Sequence, residues 1–137
     1  MQVFLPCPNF VESAKCLDYR RLGKQRCECL QILNALSGLK LGWKNHPAVK
    51  MFRSYEESLK LYMNVCIEEW KSRGYKNTME LWALDESKIV YPGWFGNEDF
   101  HSAHRAALLA KDFNYYSKFC WKEEPGINYI WPKGVEG

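Results

Sequence analysis

The 137-residue sequence predicts an all-α fold, a compact single domain (1–137) with two long helices and two or three short ones. Three observations lead there. Apolar residues recur at three- and four-residue steps over two long stretches, the period of one helix face. Capping residues stand where those stretches begin, and glycines where they end. No stretch alternates apolar and polar residues with the period of two that a half-buried strand requires.

The elements follow in order. Asn9 with Glu12 has capping-box form and places a helix start near residue 10. Helical periodicity runs on to Leu36, Ser37-Gly38 closes it, and Gly23 is the candidate for a bend. Residues 39–46 read as a loop, and Pro47 suits a first helical position after a cap at Asn45 or His46. Val49, Phe52, Tyr55, Leu59, Tyr62, Cys66 and Trp70 then predict a helix of about 25 residues, stopped at Gly74. Asn77 with Glu80 opens a short helix over MELWAL. Residues 85–99, with Pro92, Gly93 and Gly96, read as loop. A further helix covers HSAHRAALLAK, a short one covers NYYSKFCW, and the aromatic tail EPGINYIWPKG is expected to pack on the body.

Composition narrows the function classes. Apolar content of 47% and aromatic content of 15% argue against disorder. With 19 basic and 16 acidic residues the net charge is only +3, so overall charge does not mark a polyanion binder and only a local cluster could. No run approaches the roughly 18–20 apolar residues of a membrane span. MQVFLPCPNF lacks a basic region before a long apolar one, so no signal peptide and a cytoplasmic location are expected. The cysteines (7, 16, 27, 29, 66 and 120) include no CxxC pair. They are expected to be reduced, with Cys29 and Cys66 as small buried hydrophobes and no structural zinc.

The chemistry concentrates in LDYRRLGKQRCECLQIL, residues 17–33. On a helical wheel Leu22, Cys29, Leu30, Leu33 and Leu36 share one sector. Arg21, Lys24, Gln25 and Glu28 form a polar stripe at i, i+3, i+4 and i+7. One account is a solvated face with a Lys24–Glu28 pair worth a few tenths of a kcal/mol, roughly. The other is a site. Arg26 lies inside the apolar sector and must snorkel or find a carboxylate, which fits either site-shaping or a structural ion pair.

A second cluster is FHSAHRAALLAKD, where His101, His104 and Arg105 share one face near a helix N-terminus. It reads as an anion site or as core histidines satisfied by backbone. Zinc through His101 and His104 lacks a third ligand, so no metal or other cofactor is expected. In GWKNHPAV, capping accounts for Asn45, and His46 is a third imidazole that could face the same site. Trp43, Trp94 and Phe95 fall in loops, as base-stacking rings or as lids over the core.

At LDYRRLGKQR the sequence resembles the pyrimidine-dimer DNA glycosylases of the phage endonuclease V type. Tyr19-Arg20, Leu22 and Lys24 match that family's pattern near the start of a long first helix. HSAHRAALLAKDFNYYSKFCW resembles its His-bearing helix, followed by a Lys and a Tyr-Tyr pair. The resemblance implies an all-α DNA repair enzyme that distorts duplex DNA, displaces a base and attacks the sugar C1′. The family nucleophile is an N-terminal α-amine, and its Schiff base permits both glycosylase and AP-lyase steps. Such amines titrate near 7.7–8.0, so a useful fraction is unprotonated at neutral pH.

The family glutamate falls on Arg21 by the Tyr-Arg match, so Glu28, one turn beyond Lys24, is the expected acid/base. Gln2 is bulky, so Met1 is expected to stay and to supply the amine, with Lys24 as the other candidate. Arg20, Arg21, Gln25 and Arg26 are expected to grip phosphates or line the pocket. His46, His101, His104 and Arg105 are expected to hold the displaced nucleotide or its phosphate. The partner is thus duplex DNA with a flipped base, on a damaged or modified site. The alternative is a non-catalytic binder of nucleic acid or of a free nucleotide through the same basic pocket, and a purely structural helical protein is a third reading. Oligomeric state is not legible.

Overall fold

A computed structural model of the protein describes residues 1–39, 42 and 44–132. Trp43, one of the loop aromatics named above, lies outside the described residues. The fold is all-α, and among the described residues there is no strand. Its helices are α1 (Phe10–Cys16), α2 (Tyr19–Leu36), α3 (Pro47–Lys50), α4 (Glu56–Ser72), α5 (Glu98–Lys111) and α6 (Phe113–Tyr116). Single 3₁₀ turns stand at Glu86–Lys88 and Ser117–Phe119. None of these helices is long and apolar enough to cross a membrane.

Side chains cap every helix start but that of α4, where Tyr55 makes no cap bond. Asn9 accepts from the Glu12 N–H and Asn97 from the Phe100 N–H, opening α1 and α5. At α3 the cap is His46, whose Nδ1 accepts from the Ala48 N–H at 3.0 Å. Three expectations change. The stretch 10–36 is two helices, parted at Leu17 and Asp18, because Asp18 stands in extended conformation as the N-cap of α2. The predicted 25-residue helix from Pro47 is also two, since Ser54 takes a left-handed φ of 75° between α3 and α4. MELWAL is not helical: Asn64 of α4 receives the Trp82 N–H at 2.8 Å and donates to its carbonyl at 3.0 Å, holding that stretch as a lateral strap.

Gly23 is not a bend. A Cβ there would sit 3.0 Å from Trp70 of α4, so the missing side chain is what lets α2 and α4 pack closely. Around that pair one buried cluster joins Leu22, Cys29, Ile32 and Leu33 of α2 to Leu59, Tyr62, Met63 and Ile67 of α4. Phe52, Phe100, Leu108 and Tyr116 extend it to the other helices. The tail packs down as expected, through Tyr129 and Trp131.

What positions the site is the amino end. Residues 1–6 are not helical and pass through the core, with Val3, Phe4, Leu5 and Pro6 buried. With no neighbouring strand to pair with, their peptide groups need partners from elsewhere. Side chains supply them. Gln25 of α2 accepts the Phe4 N–H at 2.9 Å and donates to the Gln2 carbonyl at 2.9 Å. His104 Nδ1 accepts the Leu5 N–H at 2.9 Å, and His101 Nδ1 donates to the Leu5 carbonyl at 2.7 Å. Tyr62 donates to the Phe4 carbonyl at 2.7 Å and Arg105 to the Pro6 carbonyl at 2.7 Å.

Candidate active site

The clamped segment delivers Met1 to a cleft of about 360 Å³ at the start of α2. Arg20, Arg21, Lys24, Gln25 and Glu28 form one wall; Met1, Gln2 and Phe4 form the floor; Lys111 and Tyr129 close the far side. Five cationic groups (the Met1 amine, Arg20, Arg21, Lys24 and Lys111) therefore face one lining carboxylate, Glu28. That imbalance suits a phosphate-bearing ligand.

The local sequence explains the wall. Asp18 caps α2 and is nearly buried, bonded by the Tyr116 hydroxyl and, at 3.2 Å, by Arg21. Burial works against its ionisation, but the bonds from Tyr116 and Arg21 outweigh it and hold the carboxyl below its ordinary range. Arg21 is thereby aligned along the cleft rim. Arg20 is exposed, its guanidinium bonded to the Tyr19 hydroxyl at 3.2 Å. Lys24 and Glu28, four residues apart, form no ion pair with one another or with any other of the described residues. Both remain available to a ligand.

His46 does not line the cleft but lies close to it. Burial pushes its pKa down, the positive Met1 amine pushes it further, and Glu28 opposes them. Its ring also meets Trp131 edge-on at 6.5 Å. The amine, the imidazole and the carboxylate thus share one electrostatic neighbourhood.

The other expected contact residues are elsewhere. Arg26, half-buried, has no carboxylate partner among the described residues: its guanidinium lies 4.4 Å from the Trp70 ring centroid and donates to Asn77 Oδ1 at 2.6 Å. His101 and His104 are 0% and 1% exposed, and the geometry fixes their tautomers. His101 donates from Nδ1 to Leu5 and accepts at Nε2 from the Gly96 N–H, 2.9 Å away. His104 accepts at Nδ1, and burial, helped by His101, lowers its pKa to about 3. Arg105 is paired with Glu98 and, at 2.9 Å, with Glu123. The core-histidine account thus describes this face, and the expected anion site on α5 is not what these side chains build. Gln25 touches the cleft, yet both ends of its amide are engaged by the amino-terminal segment.

Trp94 and Phe95 act as lids: Trp94 donates to the Met51 carbonyl at 3.2 Å, and Phe95 packs on Phe10 at 5.0 Å. Four lining residues had not been expected, and Gln2 and Phe4 come with the clamped amino-terminal segment. Lys111 lies seven residues beyond His104 on the same face of α5, a spacing legible in the sequence. Tyr129 reaches the cleft from the irregular tail, packing on Phe4 and His104, and no local pattern signals it.

A helical protein whose cationic cleft is lined by Met1 and the charged wall of α2 has the makings of a protein that grips a phosphate-bearing polymer. The family model for pyrimidine dimer DNA glycosylase matches residues 1–83, more than half of the chain. The protein belongs to that family, one of DNA repair glycosylases. The match spans the amino-terminal segment and α1 to α4, and so includes Met1 and the whole α2 wall. Comparison with curated proteins and with solved structures gave no match.

Proposed function

We propose that the protein is a DNA glycosylase with AP-lyase action on damaged or modified bases, and that the Met1 amine is its nucleophile. One observation carries the reading: the segment ending in that amine is clamped by buried Gln25, His101 and His104 and opens into a cleft bearing a lysine and a carboxylate without ion-pair partners among the described residues. Polar clamps of this kind fix a chain end far more tightly than an ordinary fraying terminus.

The steps follow from the groups present. Arg20, Arg21, Lys24 and Lys111 hold backbone phosphates, while the target nucleotide leaves the stack, since C1′ is shielded in a duplex. The neutral Met1 amine attacks C1′; the C1′–N bond breaks and the base departs with a proton. Glu28 takes the proton that the attacking amine sheds and passes it to the departing base. Glu28 stabilises the positive charge that develops at C1′ and assists proton transfer as the Schiff base forms. That imine permits strand scission by elimination.

Borohydride trapping on abasic DNA tests the scheme. The expected result is a covalent protein–DNA product carried by the tryptic peptide 1–15. A cross-link on Lys24 would reassign the nucleophile, and no product at any pH would remove the imine mechanism. A second reading, a non-catalytic nucleotide binder, is favoured by Arg21 standing where the family resemblance expects glutamate. It predicts a shallow salt dependence of binding, whereas several phosphate contacts make it steep.

A further inference from the structure

Away from the cleft, two thiols face each other. Cys7 Sγ and Cys16 Sγ lie 3.9 Å apart, both half-buried. Local structure explains the meeting. The Ser13 hydroxyl accepts the Cys7 N–H at 3.0 Å and donates to the Cys7 carbonyl at 2.9 Å. Ser13 and Cys16 are i, i+3 neighbours on α1, so the residue that grips the Cys7 backbone also presents Cys16 beside its side chain. A disulfide needs its sulfurs about 2.05 Å apart, so the two thiols, already in contact, have a short gap to close.

The four remaining cysteines lack this arrangement. Cys29 and Cys66 are wholly buried and their thiols are pushed up, while Cys27 and Cys120 are exposed with no thiol partner among the described residues. The charged neighbours of the facing pair are Arg105, Glu12 and Glu98. A hydrogen bond from Cys16 and the Arg105 charge bring the Cys7 thiol down to about 7 against its burial, and the Cys16 thiol is pushed up.

We propose that Cys7 and Cys16 are a reversible redox pair, which a hydroperoxide converts to a disulfide tying the amino-terminal segment to α1. The Cys7 thiolate attacks the peroxide oxygen; the O–O bond breaks, an alcohol or water leaves, and Cys7 becomes a sulfenic acid. The Cys16 sulfur then attacks the Cys7 sulfur, the S–O bond breaks and water departs with the Cys16 proton. Two thiols lose two electrons and two protons in total, and the peroxide takes them up. A dithiol reductant reverses the link by exchange. This pair stands independently of the glycosylase reading.

The test is a peptide map of the intact, fully reduced protein after stoichiometric hydrogen peroxide, alkylation and trypsin digestion without reductant. Peptides 1–15 and 16–20 should appear as a linked pair, lighter by two hydrogens than their sum, before the peptides carrying Cys27 or Cys120 change. Dithiothreitol should restore both. In Cys16→Ser, Cys7 should stall as a dimedone-reactive sulfenic acid, and in Cys7→Ser, Cys16 should stay alkylatable. Oxidation of Cys27 or Cys120 first, with Cys7 and Cys16 still alkylatable, would overturn the proposal. So would conversion of Cys7 to sulfinic acid without a linked product.

Discussion

The polar faces of α2 and α5 look alike as strings of residues and do opposite things. On α5, His101, His104 and Arg105 are each engaged: two grip the Leu5 backbone, and the third holds Pro6, Glu98 and Glu123. On α2, Lys24 and Glu28 face a cleft without ion-pair partners among the described residues. Polar side chains that satisfy one another inside the fold are architecture, because burying them unpaired would cost too much. Those left facing an open cleft are available to a ligand. The two faces cooperate, since the α5 clamps and Gln25 hold the segment that carries Met1 into the α2 cleft.

The sharpest way to break the comparison is at Glu28. Glu28→Gln should lower glycosylase turnover by about 10²- to 10⁴-fold with little change in unfolding midpoint, measured by cleavage kinetics beside denaturant melts. Equal activity would return α2 to a solvated face. On the opposite side, His104→Ala should cost about 3 kcal/mol in urea unfolding, because it orphans the Leu5 N–H and leaves a cavity. A loss under half a kcal/mol or so would mean that the clamp is ornamental.

Acid should separate the faces as well. His104 is neutral when folded, with its pKa lowered to about 3 from the ordinary 6.5. The unfolded chain binds a proton there between those values and the folded chain does not. Its contribution is therefore complete above about pH 6.5 and is lost as pH falls toward the folded value. Unfolding free energy measured across that window should fall on acidification, and His104→Asn should flatten the slope.

Smaller effects refine the α2 side. Lys24→Ala and Arg20→Ala should each reduce the slope of log affinity against log salt by about one, while Arg26→Ala should leave it unchanged. Smallest in scale, Gly23→Ala should destabilise by about 1 kcal/mol despite the better helix propensity of alanine, because Trp70 must yield to the new Cβ.

Much of this was legible in the sequence, element by element. The α2 stripe of Arg21, Lys24, Gln25 and Glu28 follows from helical spacing and does line one cleft. The resemblance in LDYRRLGKQR agrees with the family match over 1–83. The breaks at Asp18 and Ser54 were hidden, because apolar periodicity continues across them. Arg26 was rightly singled out as needing a partner, but a Trp70 face and Asn77 supplied it, and spacing along α2 carries no record of either.

Local order is written in neighbouring residues, so caps, periodicity and composition determined the all-α class and the polar and apolar faces of α2. The path of residues 1–6 through the core was decided only on folding. Its partners lie 21 residues away at Gln25, 58 at Tyr62 and 99 at His104. A peptide group buried away from water takes whichever donor or acceptor the packed helices bring to it. That is why one cluster became a clamp and the other was left open.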